Sequence, residues 1–325
     1  MNIELIERKG HVLTRSTLKC LKEVASINPT LGCIHQCAYC YARGYANYPG
    51  DGNVLVYANL PEKLKNELST RRRLPAYVFF SPACDVLQPI PQVLKVTYEL
   101  MRILFENGIG VNLLTKGRIP VKFMQLFREY KELIHIQIGV TTLDHDIQRK
   151  MEPYAATPHE RIQNIKMLYN ADIIPEIKLD PLIPGVTDTE QNLLDLFGAL
   201  RDFGINSAGI NYLFLRPQVK RNLCKALGSN PLLFKVLKYF KDGKALNLLA
   251  EMSRVFALDT QFRKRAYAQI SNLARAFGIN AYVCGCKNPD ITEEPLCGTT
   301  WGKHFENAHR ATFSLFRLTS FSPIL

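Results

Sequence analysis

From residue 25 to residue 215 the chain alternates short apolar runs with longer amphipathic ones, and that rhythm limits the folds open to it. The short runs are ASIN (25–28), YVFF (77–80), VNLLT (111–115), IHIQIGV (134–140), PEIKLD (175–180) and AGINYLF (208–214). They are apolar or β-branched and bounded by Gly, Pro or Asp, as strands are. Helical patterns lie between them at 61–70, 91–107, 120–131, 158–170 and 189–204. Pro61 suits a first helical turn, where its missing N–H costs nothing. Asp188 and Thr189 are candidate N-caps, and Gly108 and Gly204 candidate stops. Six strands alternating with helices predict a parallel sheet with right-handed crossovers, either open or curled into a partial or full barrel. In both forms ligands gather at the carboxyl ends of the strands.

After residue 215 the rhythm breaks. A loop with a short helix follows, then Lys- and Arg-rich helical patterns at 231–241 and 259–277, then a cysteine-bearing loop, VCGCKNPDITEEPLCGTTW. This divides the chain into a segment 1–24, a barrel region 25–215 and an extension 216–325. The charge divides with it. Residues 1–215 carry 24 Lys and Arg against 22 Asp and Glu, whereas residues 216–325 carry 17 against 7. An excess of that kind attracts polyanions, most often nucleic acid, although a basic solvated surface shows the same count. The triplet at 71–73 and the stretch QFRKRAYAQ (261–269) are candidate contacts. No run approaches the roughly 20 apolar residues of a membrane helix, and the charged start MNIELIERKG does not read as a secretion signal. The expected location is the cytoplasm, with no membrane partner.

In a reducing compartment nine cysteines do not make a disulfide scaffold, and clustered thiols more often bind metal. Cys33, Cys37 and Cys40 follow the first strand directly, in GCIHQCAYCYARGY (32–45), spaced C-x3-C-x2-C. Structural zinc usually takes four ligands, commonly from C-x2-C knuckles. Three thiolates suit an iron–sulfur cluster that keeps one iron open to a ligand.

The stretch CIHQCAYC resembles the cluster loop of the radical S-adenosylmethionine (SAM) enzymes. In that superfamily the cluster is 4Fe–4S, SAM binds the open iron through its amino and carboxylate groups, and reductive cleavage yields a 5′-deoxyadenosyl radical that abstracts hydrogen from the substrate. More narrowly, SINPTLGCIHQCAYCYARGY is similar to the opening of the spore-photoproduct-lyase-like branch, the DNA repair photolyase-like proteins. DVLQP (85–89), LLTKG (113–117), VTTLD (140–144), MEPYAATPHERI (151–162) and PLIPGVTD (181–188) continue the likeness in order. The resemblance implies a partial (β/α)6 barrel of the TIM type, here with a mainly helical basic extension.

It also assigns roles. Tyr39, before the last cysteine, matches an aromatic that packs on the adenine of SAM. Lys116 could meet the SAM carboxylate, and Thr141 and Thr142 could reach the ligand from the fourth strand, where Gly139 stands at a position many relatives give to Ser. Glu152 could accept ribose hydroxyls or pair with Arg161, and Asp180 points to the same mouth or caps a helix. Cys84 lies just after the second strand, near the region where photoproduct lyases carry a hydrogen-donating cysteine, and Tyr41 matches the tyrosine that works with it. A buried small hydrophobe is the rival role for Cys84. A low-potential electron donor such as flavodoxin or ferredoxin is implied as a partner.

Cys284, Cys286 and Cys297 read as ligands of a second iron–sulfur cluster or of zinc, with Cys224, His304 or substrate as a fourth ligand, against unpaired thiols or an adventitious disulfide. Nothing in the photoproduct lyases matches this loop. Three functions follow as expectations: a radical SAM enzyme acting on DNA lesions, one modifying a peptide, RNA or metabolite with an auxiliary cluster, and a non-catalytic metal protein that binds nucleic acid.

Overall fold

The six expected strands all form and pair side by side in parallel. The computed structural model describes residues 1–15, 24–248 and 254–292. The chain opens with β1 (Asn2–Ile6), β2 (Thr14–Arg15), β3 (Ala25–Ile27), β4 (Thr30–Leu31) and β5 (Asn53–Tyr57). Strands and helices then alternate through α1 (Leu60–Thr70), β6 (Tyr77–Phe80), α2 (Pro91–Glu106), β7 (Gly110–Thr115), α3 (Val121–Glu129), β8 (Ile134–Gly139), α4 (His145–Met151), α5 (Pro158–Tyr169), β9 (Glu176–Leu182), α6 (Glu190–Arg201) and β10 (Ser207–Tyr212). After them come α7 (Pro217–Leu227), α8 (Pro231–Tyr239), β11 (Lys244–Asn247), β12 (Arg254–Ala257), α9 (Thr260–Ala276) and β13 (Asn280–Val283).

The main sheet has the order β13-β10-β9-β8-β7-β6-β3-β2, parallel throughout except for β2, which runs antiparallel to β3 at one edge. At the other edge β13 adds a seventh parallel strand from beyond residue 215. The sequence reading missed it because four residues, NAYV, carry too short a pattern to stand out. A smaller sheet, β1-β5-β4, leads the chain into the three-cysteine loop.

Alternation along the strands separates two faces. One is aliphatic: Val78, Val111, Leu113, Ile136, Ile177 and Ala208 sit in register and join the helices in one core. The other is polar although largely buried. Gln137 Nε2 donates to Glu176 Oε2 (2.6 Å), and Lys178 Nζ donates to Glu176 Oε1 (2.8 Å) and to Tyr282 Oη (2.5 Å). Buried charge persists only when it is paired in this way.

Helix ends follow side-chain chemistry. Thr157 and Glu160 form a capping box around Pro158 at the start of α5. Thr189, not Asp188, caps α6. Asp188 accepts instead from Gly185 N (2.6 Å) and Tyr212 Oη (2.8 Å), which removes it from the cap. The short helix α4 was not expected, and the Asp144 side chain nucleates it by accepting from the amides of Asp146 and Ile147. No helix among the described residues is long and apolar enough to cross a membrane.

Candidate active site

All the strand ends that the sequence marks for chemistry open on one rim. The three-cysteine loop begins there at Gly32, whose φ of +81° is left-handed. A Cβ on Gly32 would press on the Asn53 carbonyl and come 2.9 Å from Pro49 Cγ, so only glycine lets the chain turn into the loop. The loop is then pinned from two sides. Ile34 N donates to Gln88 Oε1 (2.7 Å), and Ala38 N donates to Met151 O (2.8 Å). Cys33, Cys37 and Cys40 are half-buried and unbridged. Burial pushes the Cys37 thiol up to about 12, with Glu152 adding to it, and pushes Cys33 well above its ordinary value.

Cys84 lies against this loop. Its sulfur is within hydrogen-bonding reach of the Thr30 hydroxyl and the Gly32 amide, with Cys40 and Asp85 nearby. Burial pushes its thiol up to about 12, so it keeps its proton at neutral pH. Tyr41 reaches the same segment by a different route: its hydroxyl donates to Pro82 O at 2.7 Å, two residues before Cys84.

Three residues unnamed as site residues in the sequence reading hold the parts together. Asp85 accepts from Thr115 Oγ1 (3.0 Å to each oxygen), Lys116 N (2.7 Å) and Leu87 N (2.8 Å). His35 Nδ1 stands 3.5 Å from the same carboxylate. Asp85 thereby ties the loops after β6 and β7 to the cysteine loop, and Gln88 adds the bond to Ile34. Asp85 and Gln88 were visible within DVLQP, and His35 within CIHQC, but their partners lie too far away in sequence for any local pattern to disclose. His35 is 2% exposed and its Nε2 has no hydrogen-bond partner. Burial holds its imidazole below the ordinary value, against the pull of Asp85.

On the other side of the loop the Tyr39 hydroxyl donates to Glu152 Oε1, and Glu152 Oε2 pairs with Arg161 NH2. Arg161 also donates to Ala156 O (2.9 Å) and Gly139 O (2.8 Å), so the ion pair is fixed by backbone. Both charged residues are 2% exposed. Burial would raise the Glu152 carboxyl, but Arg161 and Lys116 outweigh it and hold the group below its ordinary value. This engages Glu152 with Arg161 and Tyr39 rather than leaving it open. Lys116 Nζ is 5.7 Å from the Tyr39 ring centroid. Its stem lies across Gly139, where an added Cβ would meet Lys116 Cγ at 3.0 Å and Nζ at 3.1 Å. The glycine in place of serine is therefore the space that Lys116 occupies. Gly139→Ser is expected to push the Lys116 side chain aside. Thr141 and Thr142 line a small cavity with Gln148, Glu152, Arg161 and Thr187.

Asp180 joins the rim to the end of the described chain. It pairs with Lys287 and accepts from Asn211 Nδ2 at 3.2 Å. Burial pushes its carboxyl up, but Lys287 outweighs that and holds it low. Asn288 Nδ2 donates to Asn211 Oδ1 (3.0 Å). Cys284 and Cys286, both buried, sit between β13 and these contacts and thus on the same rim. Cys224 is exposed on α7. Cys297 and His304 lie outside the described residues. Of the expected nucleic-acid contacts, Arg263 is 1% exposed and paired with Asp290 at 2.5 Å, so it faces inward. Arg71–Arg73 lie between α1 and β6, at the amino end of the sheet and away from the rim.

Among the described residues no three His, Cys, Asp or Glu side chains meet where a single ion would sit. The fit to an iron–sulfur cluster is one of donor type and place: three sulfur donors on one pinned loop, with an unpartnered buried imidazole nitrogen inside it. A model of the radical SAM superfamily matches residues 27–197, more than half of the sequence. The chain belongs to the radical SAM superfamily. Membership implies an enzyme that uses SAM and a 4Fe–4S cluster.

This radical SAM chain is 27% identical over 168 residues to an uncharacterised protein of Methanocaldococcus jannaschii, a match covering 50% of the chain and 62% of that protein. It is 26% identical over 196 residues to a radical SAM Nalpha-GlyT isomerase of Pseudomonas phage M6, covering 60% of the chain and 40% of the isomerase. The chain spans less than two thirds of the length of the curated relatives it matches. Among solved structures, spore photoproduct lyase with bound AdoMet and dinucleoside spore photoproduct superposes with a TM-score of 0.65 at 12% identity, covering 86% of this chain and 81% of the lyase. That likeness establishes the fold, a partial TIM-type radical SAM barrel.

Proposed function

We propose that this radical SAM enzyme acts on nucleic acid in the manner of a lesion-repairing lyase, with Cys84 returning a hydrogen atom to the substrate. The observation that carries the reading is the position of the Cys84 thiol, set against the cysteine loop beside Thr30 and Gly32. When bound, the cluster and SAM supply the electron and the 5′-deoxyadenosyl radical from which the family's reactions start. Cys33, Cys37 and Cys40 hold the cluster. Lys116 offers an ammonium to the SAM carboxylate, and Tyr39, fixed by Glu152 and Arg161, presents its ring to the adenine. Thr141 and Asp180 complete the polar rim.

Cys84 then acts on a carbon radical in the substrate: its S–H bond breaks, a C–H bond forms, and the unpaired electron moves to sulfur. A protonated thiol is the form this step needs. Tyr41, whose hydroxyl donates to Pro82 O two residues before Cys84, returns a hydrogen atom to that sulfur. Two of the three C-terminal thiols reach the same rim, which supports an auxiliary iron–sulfur or zinc site there. A low-potential carrier such as flavodoxin or ferredoxin delivers the electron.

The test is anaerobic reconstitution followed by 5′-deoxyadenosine analysis, with and without ultraviolet-irradiated DNA. Repair activity predicts lesion loss that requires SAM. Modification of a peptide, RNA or metabolite predicts 5′-deoxyadenosine without lesion loss, and a non-catalytic binder predicts neither. Cys84→Ala is expected to retain SAM cleavage within about threefold while the native product gives way to adducts of the unquenched substrate radical, separable by mass spectrometry; about 0.7 kcal/mol is the matching barrier change. Unchanged products would remove Cys84 from the reaction.

A further inference from the structure

Between Arg216 and Lys241 the sequence has seven Lys and Arg and no Asp or Glu. The fold turns this segment into α7 and α8 and sets both beside the mouth. α7 packs on the turn that follows the cysteine loop: Gln218 Cβ comes 3.3 Å from the point a Cβ on Gly44 would occupy, and Arg216 stands 5.7 Å from the Tyr41 ring centroid. α8 packs on the loop after β9, where Lys235 and Tyr239 lie over Gly185. The cations face out. Lys220, Arg221, Lys225, Lys235, Lys238 and Lys241 are all exposed. Lys225 has Asp51 at 3.3 Å. Lys220, Lys238 and Lys241 have no acidic partner within ion-pair distance among the described residues, while Lys235 lies near enough to Asp188 to oppose the burial that pushes its carboxyl up. Exposed Lys65, Arg72 and Lys95 on or beside α1 and α2 are likewise outside ion-pair distance of any acid among the described residues, so what sets the α7–α8 face apart is its run of cations without an Asp or Glu. Two aromatics interrupt the basic face: Phe234 is 68% exposed and Tyr239 38%.

Unneutralised cations beside exposed rings are what a strand with free bases requires. Phosphates take the Lys and Arg, and bases stack on aromatic faces whatever their identity. A small acidic protein would answer the charge as well, and the salt series and the flavodoxin arm of the test separate it from a strand. We infer that the α7–α8 face is the track along which a single-stranded nucleic acid, or the opened strand of a duplex, is led into the barrel mouth. The inference rests on the nucleic-acid reading of the function and adds where the strand lies.

The test uses the full-length reconstituted enzyme and a fluorescein-labelled deoxythymidine oligonucleotide of about 20 nucleotides, a length longer than one binding face engages. Fluorescence anisotropy is followed across a salt series. The triple variant Lys220→Glu, Lys235→Glu, Lys238→Glu is expected to bind at least about 30-fold more weakly, with the slope of log affinity against log salt reduced by about two. Lys65→Glu, Arg72→Glu, Lys95→Glu makes the same charge change on or beside α1 and α2 and is expected to stay within about threefold. Phe234→Ala is expected to weaken binding about 10-fold with the salt slope unchanged, since stacking releases no counterions. Thermal melts within a few degrees of wild type establish that each variant is folded. If wild type binds and the α7–α8 triple variant binds equally well, the track is refuted while the nucleic-acid reading stands. If wild type binds neither single-stranded nor duplex oligonucleotides, that reading falls and takes the track with it. If the triple variant keeps oligonucleotide binding but loses reduction by flavodoxin, the face belongs to the electron carrier and the inference is wrong.

Discussion

Cys37→Ala, reconstituted anaerobically beside wild type, is expected to lose the iron that wild type retains, about four atoms for each 4Fe–4S cluster. The proposed ligands are the loop's three thiolates, and removing one leaves two corners of the cluster without a thiolate. Formation of 5′-deoxyadenosine should fall by more than about a hundredfold, since even outer-sphere partners of metal ligands command 10- to 100-fold effects. Iron analysis, the visible absorbance of the cluster and 5′-deoxyadenosine by chromatography read the three consequences separately. Cys84→Ala is the matched comparison, because its thiol lies against the same loop yet is assigned to hydrogen transfer. It should keep its iron. Equal iron loss in both variants would mean that the structure, not the ligation, had failed. Retained iron and retained cleavage in Cys37→Ala would overturn the assignment of the loop.

The second large effect is on stability. Glu152→Ala leaves Arg161 charged, 2% exposed and without its carboxylate. Breaking one partner of a buried ion pair typically costs about 3–5 kcal/mol. In a chain of this size that corresponds to a fall in Tm on the order of 10 °C, measured by differential scanning fluorimetry. The paired change Glu152→Met, Arg161→Met removes both charges and should recover much of the loss, because the penalty comes from the orphaned cation rather than from the missing attraction. The Tyr39 hydroxyl also loses its acceptor in either variant, so recovery of stability without recovery of SAM affinity would separate the structural role of the pair from its hold on Tyr39. A Glu152→Ala variant as stable as wild type would show that water reaches Arg161.

The barrel was legible because its strands are short apolar blocks and its helices amphipathic, each a local pattern. The thiol loop was legible for the same reason, with three donors inside eight residues of sequence. What escaped was whatever depended on contacts between distant segments. Asp85 looks like any loop aspartate until Thr115, Lys116 and His35 are seen around it. Gly139 is a departure from a familiar serine until Lys116 is seen lying across it. Arg263 belongs to a basic run, and nothing local signals that it turns inward to Asp290. The charge excess after residue 215 was plain, but the part of it that borders the mouth was not, because α7 and α8 acquire that position only by packing on loops more than 30 residues away.

The rim is assembled from the two extremes of the described sequence. The thiols that open it are made at residues 33–40, while Lys287 and Asn288, which close it over Asp180 and Asn211, come more than 240 residues later. At elongation rates of about 5–20 residues per second, the nascent loop waits roughly 12–50 seconds before its wall arrives. During that interval the sulfurs face solvent and its oxidants, in a half-built protein tethered to the ribosome. Insertion of the metal into such a chain is best timed after release, and an air-grown culture should accumulate polypeptide whose thiols were spent before the wall was ever in place.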